Sequence, residues 1–523
     1  MRPAYLKVAF DGNDIHDLSP GAILEEAHIE HGINEHARCT LHYRQTPDQR
    51  FPVEDLLGKP IQVIAVDADG AELELITGDT VEVELDYDIS GAWNLRVEGA
   101  SRTLRMDLTP RHRSYPPATF RDHFAKVAGY SGLSVAIDAS RPELDAEGGL
   151  LQIGETDFEF FHRFVDVIGC AFRAVPNGLH IIDHFLDAGC SVEWRAEGGL
   201  LDFRLVGRLA PREFRGWVYD RARESRSYVE TRSVSPPTFG PAAALIGAAE
   251  GQSSERQWRG ELVDPLLAIN LRGLRTVLDL EARRAAQSRV YARGVSREAS
   301  IVPGGKLTIN GPIETAGDWG VLKVIHHWTS DGYTNEFIAS PFTQPLVWNR
   351  PVRRPWTGLL VARVTRLGES GKMGMVQVQF PWAEGDPWFW VPFLSPNAGP
   401  NRGVYFSPEV GDEVLIGFEF GDTTRPVIVG SAWNGAHTPP AAAVYGGEYG
   451  SNDVKRIVTK SGNRLVFDDK EGKETIVLAT PQHVRVSLFD EGSKLLLHCD
   501  GDIHIHAGGT IHMKCSQFLR EIG

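Results

Sequence analysis

The sequence has few cysteines, no excess of positive charge and no long apolar run. Its five cysteines, at positions 39, 170, 190, 499 and 515, include no CxxC pair, which argues against a disulfide framework or a structural zinc site. Lys and Arg number 54 against 69 Asp and Glu, a net charge of −15, so non-specific binding to nucleic acid or to an anionic membrane is not expected. No window approaches the roughly 18 apolar residues of a membrane span. Residues 1–5 lack the apolar core of a signal peptide, which predicts a cytoplasmic start.

The 523 residues predict three or four domains at roughly 150 residues each. Together, 54 glycines and 31 prolines favour many short strands joined by turns. Apolar and polar residues alternate in 61–66, 80–85 and 93–98, a pattern typical of strands in a β-barrel or sandwich. The sequence therefore predicts a mainly β protein.

Three helices are expected to interrupt the strands. The first covers 119–128 with Thr119 as its N-cap, and the second runs from about 157 to 168 with an aromatic stripe. The third covers 274–292 and ends at Gly294. A Pro- and Gly-rich stretch at 233–260 predicts a long loop.

A block at 357–434 contains five short alternating strands, which predicts a small closed barrel of the oligonucleotide/oligosaccharide-binding (OB) shape. Proline-rich or glycine-rich boundaries flank it at 341–355 and 435–450. The segment Gly368–Lys372 looks like a phosphate loop, but that motif needs Gly at 366 and Ser or Thr at 373. Because Arg366 and Met373 stand there, a hairpin turn is the better interpretation.

The C-terminal segment repeats every eight residues, with glycine at 501 and again at 509. This period has no helical interpretation and fits an elongated β-structure in which each repeat adds a strand and a turn. Such a short segment cannot bury its apolar stripe alone, so several copies of the chain are expected to wind together around it. The predicted core of that assembly is Leu495, Leu497, Ile503, Ile505, Ile511 and Met513.

Several motifs carry a family resemblance over nearly the whole chain. Residues 376–382, 410–422 and 423–434 resemble the barrel signature of VgrG proteins, the trimeric spikes of type VI secretion and related contractile injection systems. The segment 459–476 is similar to the start of the spike prism in that family, and the helix at 157–161 is a weaker match.

The resemblance implies a tail-hub-like domain at 1–350 with two related barrels, an OB-fold neck at 357–436 and an intertwined trimeric β-prism at 453–523. It further implies a hexameric Hcp-type tube protein at the hub end, a PAAR-type tip protein at the prism end, and baseplate partners. The chain would assemble in the cytoplasm and then be expelled. Because it stops at Gly523, soon after the repeats, any effector is expected to ride non-covalently, and the acidic charge is expected on the outside of the needle.

No cofactor and no catalytic role are predicted, since the sequence contains neither a GxSxG nor an HExxH motif. His504 and His506 form an HxH pair that is solvated if Ile503 and Ile505 point inward; metal binding by three copies is the alternative. The N-terminal histidines 16, 28, 31, 36 and 42 are interpreted as surface residues, with His28 and His31 able to share a helix face. A tail-hub-associated cell-wall hydrolase or a carbohydrate-binding module remains the alternative function.

Overall fold

The computed structural model describes residues 1–45, 51–87, 89, 91–141, 149–194, 199–211, 213–220, 224–232, 248, 260–262, 271–311, 316–345, 349–351, 355–368, 374–385, 389–440, 453–482 and 484–520. The chain forms two compact units, Met1–Ser431 and Ala432–Gly523. Most of the predicted loop at 233–260 and the turn at 369–372 lie outside the described residues. Among the described helices, none is long and apolar enough to cross a membrane.

The first unit is built mainly from strands. In chain order these are β1 Pro3–Phe10, β2 Asn13–Asp14, β3 Ile23–Gly32, β4 Arg38–Gln45, β5 Pro60–Asp67, β6 Glu72–Tyr87, β7 Trp93–Ser101, β8 Arg111–Tyr115, β9 Ser134–Asp138, β10 Leu150–Glu155, β11 Ala171–Val175, β12 Gly178–Ile182, β13 Leu186–Glu193, β14 Leu200–Gly207, β15 Glu213–Asp220, β16 Ser225–Arg232, β17 Gly260–Leu262, β18 Val290–Ser296, β19 Gly305–Asn310, β20 Gly317–Thr329, β21 Gly332–Ser340, β22 Leu360–Leu367, β23 Met375–Gln379, β24 Phe389–Pro392, β25 Ala398–Gly399, β26 Arg402–Gly403, β27 Glu413–Phe418 and β28 Pro426–Ser431. The described helices are α1 Ile15–Leu18, α2 Phe120–Gly129, α3 Asp157–Val167 and α4 Leu271–Arg289, with short 3-10 turns at Val53–Asp55, Arg102–Asp107 and Glu419–Gly421. The predicted mainly β fold class is confirmed.

Thirteen strands form one sheet, in the order β14-β18-β21-β20-β3-β4-β7-β6-β5-β1-β2, with β13 attached through β19 to β20. Strands from residues 3–101 and from residues 186–340 therefore belong to one hydrogen-bonded sheet, since β3 pairs with β20. Two related barrels in this region stay a prediction. One core beneath this sheet centres on Phe10, Leu41, Ile61 and Val97. A second core gathers the aromatic residues of α2 and α3.

Helices α2 and α3 begin where the sequence predicts. The Thr119 hydroxyl accepts a hydrogen bond from the Asp122 backbone N–H, and Thr156 forms a capping box with Glu159. These side chains satisfy N–H groups that have no partner within the helix. The predicted aromatic stripe of α3 is buried, but Phe160 on another face is fully buried too, so this helix is enclosed rather than amphipathic.

The third helix ends about three residues before its predicted end. It ends at Arg289, and Val290 begins β18, where the prediction continued the helix to 292. Gly294 is not a helix cap but lies mid-strand, where an added Cβ would meet Phe337 Cζ at 2.2 Å. In sequence, a glycine that leaves room for a neighbouring ring cannot be distinguished from a glycine that ends a helix.

The OB barrel is present. Strands β24-β23-β22-β27-β28 form a five-stranded sheet, and a bridge between Phe393 and Ile428 joins its two edge strands. Leu151 and Ile153 from β10 complete the barrel core. Because neck and hub share this core, they belong to one compact unit.

The second unit is a meander of five antiparallel strands: β29 Val454–Val458, β30 Arg464–Asp468, β31 Thr475–Ala479, β32 Arg485–Phe489 and β33 Lys494–His498. The strands predicted for the later repeats are not formed, since residues 499–520, all of them described, contain none. A strand needs a hydrogen-bonding neighbour, and one copy of this segment has none beside it. The acidity is also not in this unit, because residues 432–523 hold ten Lys and Arg against eleven Asp and Glu.

Candidate functional site: an exposed apolar face

One face of the five-stranded sheet in the second unit is apolar except at the β29 edge, where Lys455 stands opposite Phe467. Cross-strand register aligns its side chains in two rows across the sheet. The first row is Ile457, Leu465, Leu478, Val486 and Leu497, and the second is Phe467, Ile476, Leu488 and Leu495. We call these nine residues the apolar face.

Eight of the nine residues of the apolar face are exposed to solvent, and Leu465 is half-buried. Leu495 is 60 % exposed, Leu478 58 % and Leu497 51 %. Contiguous apolar area of this kind is rare on soluble monomers and marks a contact surface. Burying one Leu or Ile side chain contributes about 1.5–3 kcal/mol, so nine of them make this face a strong candidate for association.

The opposite face of the same sheet carries smaller side chains that are already buried. Val466 and Ser487 are 2 % and 1 % exposed, with Val477 and Ala479 beside them. The sheet therefore has a small core on one side and its larger apolar side chains on the outer side. In most sheets with one solvated face, the larger apolar side chains lie on the buried face. The reverse arrangement is expected for a sheet whose outer face is buried only when another surface covers it.

The structure places all six predicted core residues in solvent-exposed positions of the single chain. Leu495 and Leu497 lie on the apolar face, and Ile503, Ile505, Ile511 and Met513 follow beyond β33, between 47 % and 65 % exposed. Their role in a trimer stays a prediction. The other seven members of the face were not predicted from the sequence. Apolar residues at i and i+2 in β30, β31 and β32 could have indicated them, because such residues lie on the same face of a strand.

His504 and His506 lie on the exposed segment after β33. The His504 side chain is 77 % exposed, with Nε2 3.9 Å from Asp502 Oδ2. Within the described part of the chain, no three His, Cys, Asp or Glu side chains are placed to hold one metal ion. Whether three copies bind a metal here stays an open alternative.

The interpretation of His28 and His31 as surface residues on a helix was wrong. Both lie on β3, where successive side chains alternate between faces. His28 meets His327 on one face and His31 meets His326 on the other, with ring centroids 4.9 Å and 5.7 Å apart. The pairing arises from β3 and β20, strands about 300 residues apart in sequence, which no local pattern reveals.

A hydroxyl, an imidazole and a carboxylate also meet in the hub. His36 Nδ1 lies 2.8 Å from Thr103 Oγ1, and its Nε2 lies 3.4 Å from Asp107 Oδ2. Burial raises the pKa of Asp107, but hydrogen bonds from His36 and Thr156 outweigh it and lower that pKa overall. Thr103 is fully buried, so this group fastens the 3-10 turn Arg102–Asp107 and offers no nucleophile to a substrate.

Comparisons with known proteins show what the chain resembles. Residues 360–433 match the family model described as the type VI secretion system/phage-baseplate injector OB domain. The chain is 26% identical over 367 residues to the actin cross-linking toxin VgrG1 of Vibrio cholerae, covering 63% of this chain and 32% of that protein. It is 29% identical over 189 residues to the V. cholerae type VI secretion system spike protein VgrG3, covering 31% of this chain and 18% of that protein. The chain thus spans about a third or less of the length of these relatives.

Solved structures share the fold. A chain of a Francisella PdpA–VgrG complex matches with a TM-score of 0.60 at 9% identity, covering 95% of this chain and 80% of that chain. The Escherichia coli c3393 protein, titled a component of the type VI secretion system similar to the T4 phage tail proteins gp27 and gp5, matches with a TM-score of 0.53 at 14% identity, covering 82% of this chain and 100% of that one. At these identities the solved structures show the fold alone, and the likeness to VgrG-family spikes is supported by the family model and the sequence relatives.

Proposed function

We propose that this chain, which resembles VgrG-family spikes, is the structural spike subunit of a contractile injection system and works as a homotrimer. The observation that carries the proposal is the apolar face, a nine-residue surface that remains open in one copy. Three copies, each placing this face inward, would give each copy the core that it lacks.

The unpaired segment 499–520 supports the same assembly. Its apolar residues keep the odd-numbered spacing of Leu495 and Leu497, so they continue the face in the same direction. With two neighbouring copies alongside, its backbone N–H and C=O groups would gain strand partners. Assembly would thus complete both the side-chain core and the hydrogen bonding of the spike.

A spike of this construction is suited to bearing force. Interwound strands load many hydrogen bonds at once and leave few open edges. In the first unit, the OB barrel core contains Leu151 and Ile153 of the hub. Load on the barrel therefore passes into the hub through packed side chains and not through a linker alone.

We also propose the partners that the resemblance implies. The hub would dock on a hexameric Hcp-type tube protein and on the baseplate, and the end of the spike would seat a PAAR-type tip protein. Effectors would be carried non-covalently, and the assembled trimer would form in the cytoplasm before expulsion through a target membrane. The role is structural and requires no cofactor.

Light scattering after size-exclusion chromatography tests the trimer. The wild-type chain is expected at three times its 57.7 kDa mass, and Leu478→Asp is expected to give monomers, because it would bury a carboxylate in each copy. Leu108→Asp is the matched control, since Leu108 is 71 % exposed in the first unit. A wild-type monomer at micromolar concentration, or equal effects of the two variants, would contradict the proposal.

A further inference from the structure

The large sheet of the hub is held together at one seam. Strand β3 pairs with β20 through six residue pairs, from Gly32 opposite Lys323 to Ala27 opposite Trp328. In the described part of the sheet, this is the only hydrogen-bonded junction between the strands before residue 102 and those after residue 185. Opening the seam would separate the sheet into two halves.

Imidazoles meet on both faces of this seam. On the outer face, His28 lies directly opposite His327, with the rings edge to face at 67°. On the inner face, His31 and His326 are diagonal neighbours, with the rings at 83°. Two positive charges at centroid distances of 4.9 and 5.7 Å would repel each other strongly in a partly buried site.

The inner pair has little to stabilise a positive charge. His326 is 3 % exposed, and its Nδ1 lies 2.5 Å from the Tyr333 hydroxyl. His31 Nε2 is buried and forms no hydrogen bond with any described residue. The titratable or charged groups facing this pair are Arg173 on β11, Tyr333 on β21, Cys39 on β4 and, next in sequence on β3, Glu30.

The outer pair has mixed surroundings. Facing it are Glu26 and Glu30 on β3, Arg38 and His42 on β4, Lys323 on β20 and Glu336 on β21. Lys323 is ion-paired with Glu30 and Glu35, so it holds two of the nearby carboxylates. Those carboxylates are therefore less available to a protonated His28 or His327.

The electrostatics favour neutral rings. Burial, then the Arg173 charge, lowers the pKa of His31 to about 4, against an opposing contribution from Glu30. Burial, then His31 and His327, lowers the pKa of His326 well below its ordinary value. Burial and His28 lower the pKa of His327, although Glu336 and Glu26 oppose this.

We propose that the β3–β20 seam is an acid-sensitive latch, closed while His31, His326 and His327 are neutral and opened by their protonation. An imidazole in the open seam takes up a proton near pH 6.5, whereas these three rings in the closed seam do so only at lower pH. The closed seam is therefore fully stable above about pH 6.5 and loses stability as the pH falls from there towards about 4. The latch does not depend on trimer formation.

Hydrogen exchange of the full-length protein at pH 7.5 and 5.0, corrected for intrinsic rates, tests the latch. The protection factors of the amides of residues 27–32 and 323–328 are expected to be about 30-fold lower at pH 5.0 than at pH 7.5 because of His31 alone. Protonation of the other rings would lower them further. The paired OB strands β22 and β27, which contain no histidine, are the internal control and should keep their protection. Equal losses in the seam and in these control strands would overturn the proposal.

Two variants assign the effect to the rings. His31→Gln keeps a neutral polar side chain and is expected to keep protection at pH 7.5 within a few-fold while removing about 30-fold of the pH dependence. His327→Gln, on the half-buried outer face, is expected to have the same kind of effect with a smaller amplitude. If His31→Gln does not fold, His327→Gln still tests whether the rings cause the pH dependence. An unchanged pH dependence of protection in the folded variants would overturn the proposal.

Discussion

The two compact units solve the problem of burying apolar side chains in opposite ways. The first unit encloses a large aromatic core within a single chain, so that Phe124, Phe161 and Phe172 are fully buried, although Tyr405 and Phe406 stay exposed. The second unit leaves eight residues of the apolar face exposed and buries mostly small side chains. The difference teaches that the hub is built to be stable alone, whereas the spike sheet is built to be completed by other chains.

Charge follows the same division. The net −15 of the chain lies almost wholly in residues 1–431, because the second unit is close to neutral. Net charge keeps a free-standing surface soluble, whereas a nearly neutral apolar surface is suited to close contact with copies of itself. The acidity therefore belongs to the self-sufficient unit and not to the outside of the spike.

The largest expected effect breaks the assembly of the second unit. Ile505→Asp should abolish trimer formation, at a cost above about 5 kcal/mol per trimer, since it replaces three apolar contacts with three clustered carboxylates. His506→Asp is the control at the adjacent, opposite-facing position. Analytical ultracentrifugation of both variants measures the difference; a greater loss for His506→Asp would mean that the histidines face inward.

A change in the hub should leave assembly intact and lower stability instead. Phe161→Ala removes a ring packed 4.9 Å from Phe124 and 5.3 Å from Phe172, at an expected cost of about 3–5 kcal/mol. Thermal unfolding should show the hub transition at lower temperature at every protein concentration. Loss of the trimer in this variant would show that the two units are not independent.

The smallest expected effect probes the close packing of the hub. Gly294→Ala adds a Cβ against Phe337 and is expected to cost about 1–3 kcal/mol, as overpacked cores do. Chemical denaturation measures this change in the free energy of unfolding. Phe337→Leu in the Gly294→Ala background should recover part of it, and no recovery would place the strain elsewhere.

Local features of the fold were predictable because their causes are local. Thr119 and Thr156 mark helix starts through side chains that bond N–H groups two or three residues on. The alternation in β5 and β7 and the positions of the five OB strands along the chain follow from a two-residue period. Gly294 was misinterpreted as a helix cap, because a glycine required by close contact with Phe337 looks the same in sequence as a glycine that caps a helix.

The candidate site was predictable only in part. The eight-residue repeat pointed to Leu495 and Leu497, but Leu478 and Val486 join them only through the register of the β31–β32 and β32–β33 pairings. The misinterpreted His28 and His31 have the same cause, since their partners come from β20.

By itself, the amino-acid sequence determined the mainly β character, the helix starts, the OB barrel and the apolar spacing of the spike, because each depends on side chains a few residues apart. Only the tertiary structure decided that strands from residues 3–101 and from residues 186–340 share one sheet, that histidines meet across its seam, and that nine apolar residues form one open face. Those features depend on strand pairing between distant segments, and a pattern of period two specifies that a strand has two faces without specifying its neighbour.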